Sequence, residues 1–325
     1  MTPMKSGVTI VFGGAGFIGT HLLRRLQANG ENSRLISVDI KRPARQVDGV
    51  EYVQADVRDL SGFEFPDNTS LIYNFAAVHT TPGHPTHEYY ETNIAGALEI
   101  TRLAAQHNVP EIVFTSSISV YGPGEDRKTE NSLLTPVSAY GYSKMLAEKV
   151  HKNWHGGEDG RKLTIVRPAV VFGAGEGGNF TRLAKLMKKG FFIYPGRKDT
   201  IKSCISVHDL LDAIEFARSR NTGFIVFNGA YPERYTLMDI VNTFAIGHFK
   251  NVKTVNLPKW VVLGAAKLLR VMDVFKLGVH PERVLKLIRS TDVYPEWLVS
   301  QGQEYPQGLA RALDRWSKET NGRFN

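Results

Sequence analysis

The chain predicts an α/β fold: a doubly wound parallel sheet with a smaller C-terminal lobe. Three observations carry that expectation. Apolar, β-branched runs alternate with amphipathic helical runs through the first half, the connections between them are short, and a glycine-rich turn joins the first strand-like run to the first helix-like one. Parallel strands need crossovers, and helices are the usual ones, so this alternation argues for a sheet covered on both faces.

In chain order, "VTIVFGG" is apolar and β-branched, "THLLRRLQANG" is an amphipathic helix closed by Gly30, and "RLISVDI" is a second strand. A short strand before Asp56 comes next, then "SLIYNFAAV" as a strand and "NIAGALEITRLAAQHN" as a helix. "EIVFTSS" reads as a strand, "SKMLAEKVHKNW" as a helix and "KLTIVRPAVVFG" as one further strand. After Gly173 the pattern loosens into the loop "GEGGNF", the basic helix "TRLAKLMKKG" and the helix "HDLLDAIEFARSR". From Leu257, "LPKWVVLGAAKLLRVMDVFKLGV" has the spacing of an amphipathic helix, with Lys259, Lys267, Arg270 and Lys276 among its apolar residues. The C-terminal part is expected to close over the strand ends, where ligands of open α/β sheets bind.

Composition narrows the function classes. At 325 residues, 42% hydrophobic and 22% charged, the chain is an ordinary globular one with room for a large core. A single cysteine, Cys204, excludes an internal disulfide framework and a cysteine-based zinc cluster. No signal peptide fits before Val8 and no uncharged apolar stretch spans a membrane, so a soluble, cytoplasmic protein is expected. The net charge of +8 suits an anionic partner, but the charges are scattered without an aromatic-interleaved basic cluster, so no nucleic-acid partner is expected.

"GGAGFIG" places Gly13, Gly16 and Gly19 directly after a strand and at the opening of a helix that includes Phe17 and Ile18. Gly13 permits the tight turn, Gly16 lets the backbone approach a pyrophosphate, and Gly19 lets helix and strand pack closely. Asp39 ends the next strand, 20 residues beyond Gly19, where a carboxylate hydrogen-bonds a ribose 2′-hydroxyl and repels a 2′-phosphate. That favours NAD over NADP, although Lys41 and Arg42 follow and tolerate a phosphate.

"SAYGYSK" offers two tyrosines to one lysine in the first turns of a helix. Positions four apart share a helix face, whereas positions two apart point away from each other, so Tyr140 can act beside Lys144 and Tyr142 cannot. The histidines His79, His84 and His87 are separated by proline and glycine and are expected to form a substrate loop; no metal is expected.

Together with "FTSSISVYG" and "ADVRD", these stretches resemble the extended short-chain dehydrogenase/reductase family, in particular its nucleotide-sugar epimerases and dehydratases. The resemblance runs from Val8 to Asp209 and is thin after Leu257. It implies a Rossmann-type NAD-binding domain over 1–172 with a return segment near 204–228, and a substrate-binding lobe over 173–203 and 229–325. It implies Ser117, Tyr140 and Lys144 as catalytic residues, with Ser116 the neighbouring alternative to Ser117. The cofactor side would be Gly13, Gly16, Phe17, Ile18, Gly19 and Asp39, then Asp56 and Val57 at the adenine. Phe75, Ala76 and Ala77 match the small-residue turn, Asn93 a helix asparagine near the active site, and Pro168 the strand end by the nicotinamide. On the substrate side it implies Asn179 and Lys202, the latter where epimerases usually carry an arginine for the diphosphate; the charge is kept but the bidentate fork is lost.

The implied activity is an NAD-dependent sugar 4-epimerase acting on a diphosphate-linked hexose or N-acetylhexosamine, carried by UDP or a polyprenyl chain, in surface polysaccharide precursor synthesis. Tyr140 would take the proton of a sugar hydroxyl while hydride leaves the same carbon, the Lys144 ammonium and the positive nicotinamide ring together lowering the phenol's pKa. The alternative is a net oxidoreductase, a 4-keto-sugar reductase or hydroxysteroid-type dehydrogenase. A 4,6-dehydratase usually carries an Asp-Glu pair where this chain has Ile118 and Ser119. The resemblance also implies a homodimer. The basic amphipathic tail adds an expectation of peripheral contact with the inner face of a membrane.

Overall fold

The computed structural model describes residues 7–30, 34–43, 45–80, 83–258, 260–261, 264 and 288–325. The chain divides into two compact units, one of residues 1–122, 133–168 and 207–227, the other of 123–132, 169–206 and 228–325.

The first unit is built on a seven-stranded sheet. Its strands, numbered along the chain, are β1 (Val8–Phe12), β2 (Arg34–Asp39), β3 (Val50–Gln54), β4 (Thr69–Asn74), β5 (Glu111–Thr115), β7 (Lys162–Pro168) and β11 (Phe224–Gly229). They lie in the order β3-β2-β1-β4-β5-β7-β11, and every pairing from β3 across to β7 is parallel. The chain order reverses between β1 and β4, so the loops leaving those two strands flank the crevice in which such sheets bind ligands. Helices α1 (Phe17–Ala28), α2 (Thr86–Tyr90), α3 (Gly96–Gln106), α4 (Ala139–Gly156) and α6 (Val207–Arg220) accompany the sheet. Between α2 and α3 the chain makes a single π-helical turn, Glu91–Ala95. The core is aliphatic and aromatic: Ile10, Phe12, Ile36, Val38, Ile72, Ile112 and Ile165 of the strands meet Ala97, Ile100 and Ala104 of α3 and Ala147 of α4. β1 is buried along its whole length, which is why it reads as a continuous apolar run rather than an alternating one.

The second unit holds three two-stranded parallel ribbons: β6 (Gly124–Lys128) with β13 (Thr291–Val293), β8 (Val170–Phe172) with β10 (Cys204–Ser206), and β9 (Phe191–Gly196) with β12 (Lys253–Pro258). Among the described residues its helices include α5 (Asn179–Lys188), α7 (Leu237–Gly247), and two near the C-terminus, α8 (Glu296–Ser300) and α9 (Gly308–Glu319). An aromatic cluster packs them: Phe172 stacks on Phe180 at 4.3 Å, and Phe324 meets Trp316 at 5.1 Å and Phe244 at 5.5 Å.

Two segments differ from expectation. "KLTIVRPAVVFG" is two strands rather than one: β7 stays in the main sheet, and after Pro168, which has no N–H to donate, β8 pairs with β10 instead. Leu257 and Pro258, expected to open the amphipathic helix, end strand β12. Lys259, Lys267, Arg270 and Lys276 lie outside the described residues.

Candidate active site

Gly13 ends β1 with φ of +77°, and a Cβ there would lie 2.6 Å from the Ala76 backbone nitrogen, so the turn needs glycine for its conformation and for the approach of the loop after β4. Gly19 meets a different constraint: its Cβ would sit 2.4 Å from the Gly13 carbonyl, so only a bare backbone lets α1 seat against the turn. Gly16 is the N-cap of α1 and supplies no capping side chain, and an added Cβ would meet only the Gly13 carbonyl, at 3.1 Å. The first amides of α1, at Phe17 and Ile18, therefore open on space no protein side chain fills, a cradle that suits a pyrophosphate.

Asp39 reaches this loop. Its Oδ2 accepts from the Ala15 amide at 3.1 Å and its Oδ1 from the Lys41 amide at 3.1 Å, which fixes the carboxylate beside the glycine turn. Asp56 is held by a fork from Arg58, with contacts of 2.6 to 3.0 Å, and the Arg58 guanidinium keeps its carboxyl below the ordinary value. Val57 is buried, and its Cγ2 would lie 2.7 Å from a Cβ at Gly96. Phe75 donates its amide to the Phe12 carbonyl at 2.9 Å, so Phe75, Ala76 and Ala77 run directly past Gly13.

Asn93 stands in the π-turn, fully enclosed. Its Oδ1 accepts from the Val78 amide (2.9 Å), while its Nδ2 donates to the Val78 carbonyl (3.1 Å) and to Ser143 Oγ (2.8 Å). Every polar atom of this amide is engaged within the protein. Asn93 clamps the loop after β4 to α4. Ser143 continues the clamp by donating to the Tyr140 carbonyl at 2.9 Å.

Tyr140 and Lys144 share a face of α4, whose N-cap Ser138 accepts from the Gly141 amide at 3.1 Å. Ser117 closes β5 in an extended conformation, its hydroxyl within hydrogen-bonding reach of the Tyr140 phenol. The structure thus brings Ser117, Tyr140 and Lys144 together. Tyr142 is 45% exposed and points away, as the spacing predicts. The Tyr140 ring lies 6.3 Å from that of Tyr89, which is anchored by its hydroxyl to the Thr80 carbonyl at 2.6 Å.

In the protein alone, burial pushes the Tyr140 phenol up to about 12, against the lowering effect of the Ser117 hydrogen bond. Lys144 is itself buried. Its Nζ donates to the Thr115 carbonyl at 2.7 Å and sits 4.7 Å from the centre of the Phe114 ring, and desolvation pulls it down to about 7 although Glu148 opposes the shift.

Several residues of this site carry no motif. Ser116 donates to Glu148 Oε1 at 2.5 Å, and Glu148 takes a fork from Arg167 at 2.7 and 2.8 Å. Arg167 also donates to the Tyr121 hydroxyl at 2.8 Å. The side chains of this ion pair are 1% and 3% exposed. Ser116 is therefore committed to the network beneath the site, and its neighbour Ser117 faces Tyr140. On the far side of Phe114, His151 stacks at 4.0 Å, donates from Nδ1 to the Ala147 carbonyl at 2.8 Å and meets Asn74 Nδ2 at 3.2 Å. Burial pulls it down to about 4, so it is neutral. A Glu four residues after Lys144, repeating the spacing from Tyr140 to Lys144, was the one sequence signal for this layer. Burial and the Lys144 charge also hold His79 below the ordinary imidazole value. His84 pairs with Glu88 at 2.7 Å, and no group of three or more metal-ligating side chains gathers among the described residues. Pro168 is buried at the end of β7.

The second unit carries the remaining expected residues. Asn179 is the exposed first residue of α5. Lys202 turns its Nζ to the Arg289 carbonyl at 2.6 Å, and burial pulls it down to about 8, with Glu125 opposing and Arg197 adding to the shift.

Residues 9–228 match the profile of the NAD dependent epimerase/dehydratase family. Over 313 residues, 94% of this chain and 93% of the relative, the chain is 28% identical to the N-acetyl-alpha-D-glucosaminyl-diphospho-ditrans,octacis-undecaprenol 4-epimerase of Escherichia coli O157:H7. It is 27% identical over 269 residues to the UDP-glucose 4-epimerase of Vibrio cholerae, covering 77% of this chain and 79% of that one. In shape it is similar to MoeE5 solved with UDP-glucose and NAD, with a TM-score of 0.72 and 21% identity over 97% of this chain and 99% of that one. The UDP-glucose 4-epimerase of Thermotoga maritima, solved with UDP-glucose, gives a TM-score of 0.72 at 20% identity, covering 96% and 99%. These two likenesses show the fold.

Proposed function

The chain belongs to the NAD dependent epimerase/dehydratase family, and from that premise we propose that it is an NAD-dependent 4-epimerase of a diphosphate-linked hexose or N-acetylhexosamine. The single observation that carries the reading is that Ser117 lies within hydrogen-bonding reach of the Tyr140 phenol while Lys144, on the same face of α4, holds the Thr115 carbonyl two residues before Ser117. The two relatives aligned over most of the chain, both 4-epimerases by name, supply the substrate class.

The residues present fit NAD. The amides at the start of α1 face an open cradle for the pyrophosphate, and Asp39 is the ribose carboxylate. Val57 and Asp56 line the adenine end, while Lys144 and Pro168 serve the nicotinamide end. Bound there, NAD supplies a ring that takes a hydride from the sugar's C4 and gives it back.

The chain's own residues do the rest. Ser117 holds the C4 oxygen in line as it changes from hydroxyl to ketone, and Tyr140 accepts its proton and later returns it. Burial raises the phenol, and the Lys144 ammonium with the positive nicotinamide ring would favour its phenolate. Return of the hydride to the opposite face of the 4-keto sugar inverts C4 and leaves no net redox change. We assign substrate binding to residues 173–203 and 229–325, with Asn179 and Lys202 at the diphosphate, and residues 1–172 with 204–228 to the cofactor. We also assign the protein a homodimeric state, a role in surface polysaccharide precursor synthesis, and a lipid-carried substrate met at the inner face of a membrane. No described helix is long and apolar enough to cross a membrane.

The test is turnover without added nucleotide. The purified protein is given UDP- and polyprenyl-diphosphate-linked N-acetylhexosamines, and the C4 epimer is followed together with absorbance of NADH. The epimer should appear with no net NADH change; product that requires stoichiometric NADH would make the protein a reductase.

A further inference from the structure

The ribbon of β9 and β12 in the second unit leaves apolar side chains in solvent. Along β9, Phe192 and Tyr194 are buried at 8% and 2%, while Phe191 and Ile193 alternate with them at 43% exposure each. The parallel register sets Ile193 beside Val255, which is 55% exposed, and Phe191 beside Lys253. Trp260, just past β12, is 75% exposed. Helix α5 runs directly into β9 and adds Leu186, at 38%, with Lys185, Lys188 and Lys189 exposed around it. Isolated exposed apolar residues are ordinary; aromatic and aliphatic side chains gathered on one ribbon mark a surface that something covers.

The charge pattern selects what covers it. Residues 177–196 hold Arg182, Lys185, Lys188 and Lys189 and no aspartate or glutamate, and residues 240–272 likewise contain no acidic residue. A second copy of this chain docked through the same face would bring lysine against lysine. An anionic surface is complementary: lysines reach headgroups while aromatic and aliphatic side chains enter the headgroup boundary, the arrangement that binds proteins to acidic bilayers without spanning them.

We propose that the outward face of the β9–β12 ribbon, flanked by the lysines of α5, docks on an anionic lipid bilayer. The proposal rests on the reading that the substrate is carried by a lipid: a polyprenol diphosphate stays in the bilayer, so the enzyme has to come to it. It differs from the expected amphipathic helix after Leu257 in placing the contact on a described ribbon.

The experiment is co-sedimentation of the full chain with vesicles of pure phosphatidylcholine or of phosphatidylcholine mixed with phosphatidylglycerol, at low and high salt. Binding to the anionic vesicles should exceed binding to the neutral ones by ~10-fold or more and fall with salt. The double variant Ile193→Asp with Val255→Asp should lower it to the neutral-vesicle level. So should Lys188→Glu with Lys189→Glu, whose side chains are wholly surface-placed, so that loss of binding is not loss of fold. Both variants should keep the wild-type melting temperature and wild-type turnover of any water-soluble UDP-sugar. Absence of wild-type binding to anionic vesicles, equal binding to both vesicle types, or undiminished binding by either variant overturns the proposal. Epimerase turnover without vesicle binding defeats the surface alone, whereas vesicle binding without turnover on any sugar defeats the epimerase reading alone.

Discussion

The two units hold their charged groups in opposite ways. In the first, Lys144, Glu148, Arg167 and His151 are all at most 2% exposed, and each has a partner at hydrogen-bonding distance. In the second, Arg197 pairs with Glu125 and Asp199, which are 59% and 73% exposed at the side chain, and Arg234 pairs with Asp292 while itself 52% exposed. Buried groups have one geometry and shifted proton affinities; exposed pairs are worth little and rearrange cheaply. The proposed catalytic groups therefore sit among side chains that cannot move.

The largest expected effect breaks the first side of that contrast. Tyr140→Phe should lower turnover by ~10³-fold or more, the range of a lost general base, while bound NAD is retained on gel filtration. If turnover is kept, the buried triad is not the catalytic group. Next, Glu148→Ala leaves Arg167 charged and without its fork in the core and should cost ~3–5 kcal/mol of stability, read from denaturant unfolding. The exposed counterpart, Asp199→Ala, should cost under ~1 kcal/mol, and an equal loss from both would erase the distinction between the units.

The proton affinities sharpen the same point. Lys144 is pulled from 10.5 to about 7, so between those values the unfolded chain carries more protons than the folded one, and stability rises with pH across that window. His151, pulled from 6.5 to about 4, acts the same way lower down, so stability falls as pH drops from 6.5 towards 4. Melting temperature against pH should show both slopes, with Lys144→Met flattening the upper one and His151→Gln the lower. Tyr142→Phe should do least, changing turnover by less than ~2-fold, because a half-exposed ring on the wrong face of α4 touches none of the triad.

Much of the fold was legible because its signals are local. β1, the glycine turn and α1 are contiguous, Asp39 ends β2 at the expected place, and four-residue spacing separated Tyr140 from Tyr142. What escaped depends on distant pairings. Arg167 reaches Glu148 across 19 residues and Ser116 reaches it across 32, so no short motif holds them. Asn93 was matched by resemblance to a helix asparagine near the active site, and its π-turn and its clamp on Val78, 15 residues away, emerge only in the fold. The burial that raises the Tyr140 phenol was also beyond sequence, since it depends on what the fold packs around the ring. Lys202 was matched by position, and its amine proves to be held by the Arg289 carbonyl, 87 residues away.

The central claim is that Tyr140 and Lys144 serve a resident NAD in a reaction with no net redox change. Its most direct test is a sugar substrate deuterated at C4, supplied without added nucleotide to protein carrying its bound NAD. The account expects the epimer to keep its deuterium at C4 under single and multiple turnover. Loss of the label to solvent or to added NADH, in step with product, would contradict it.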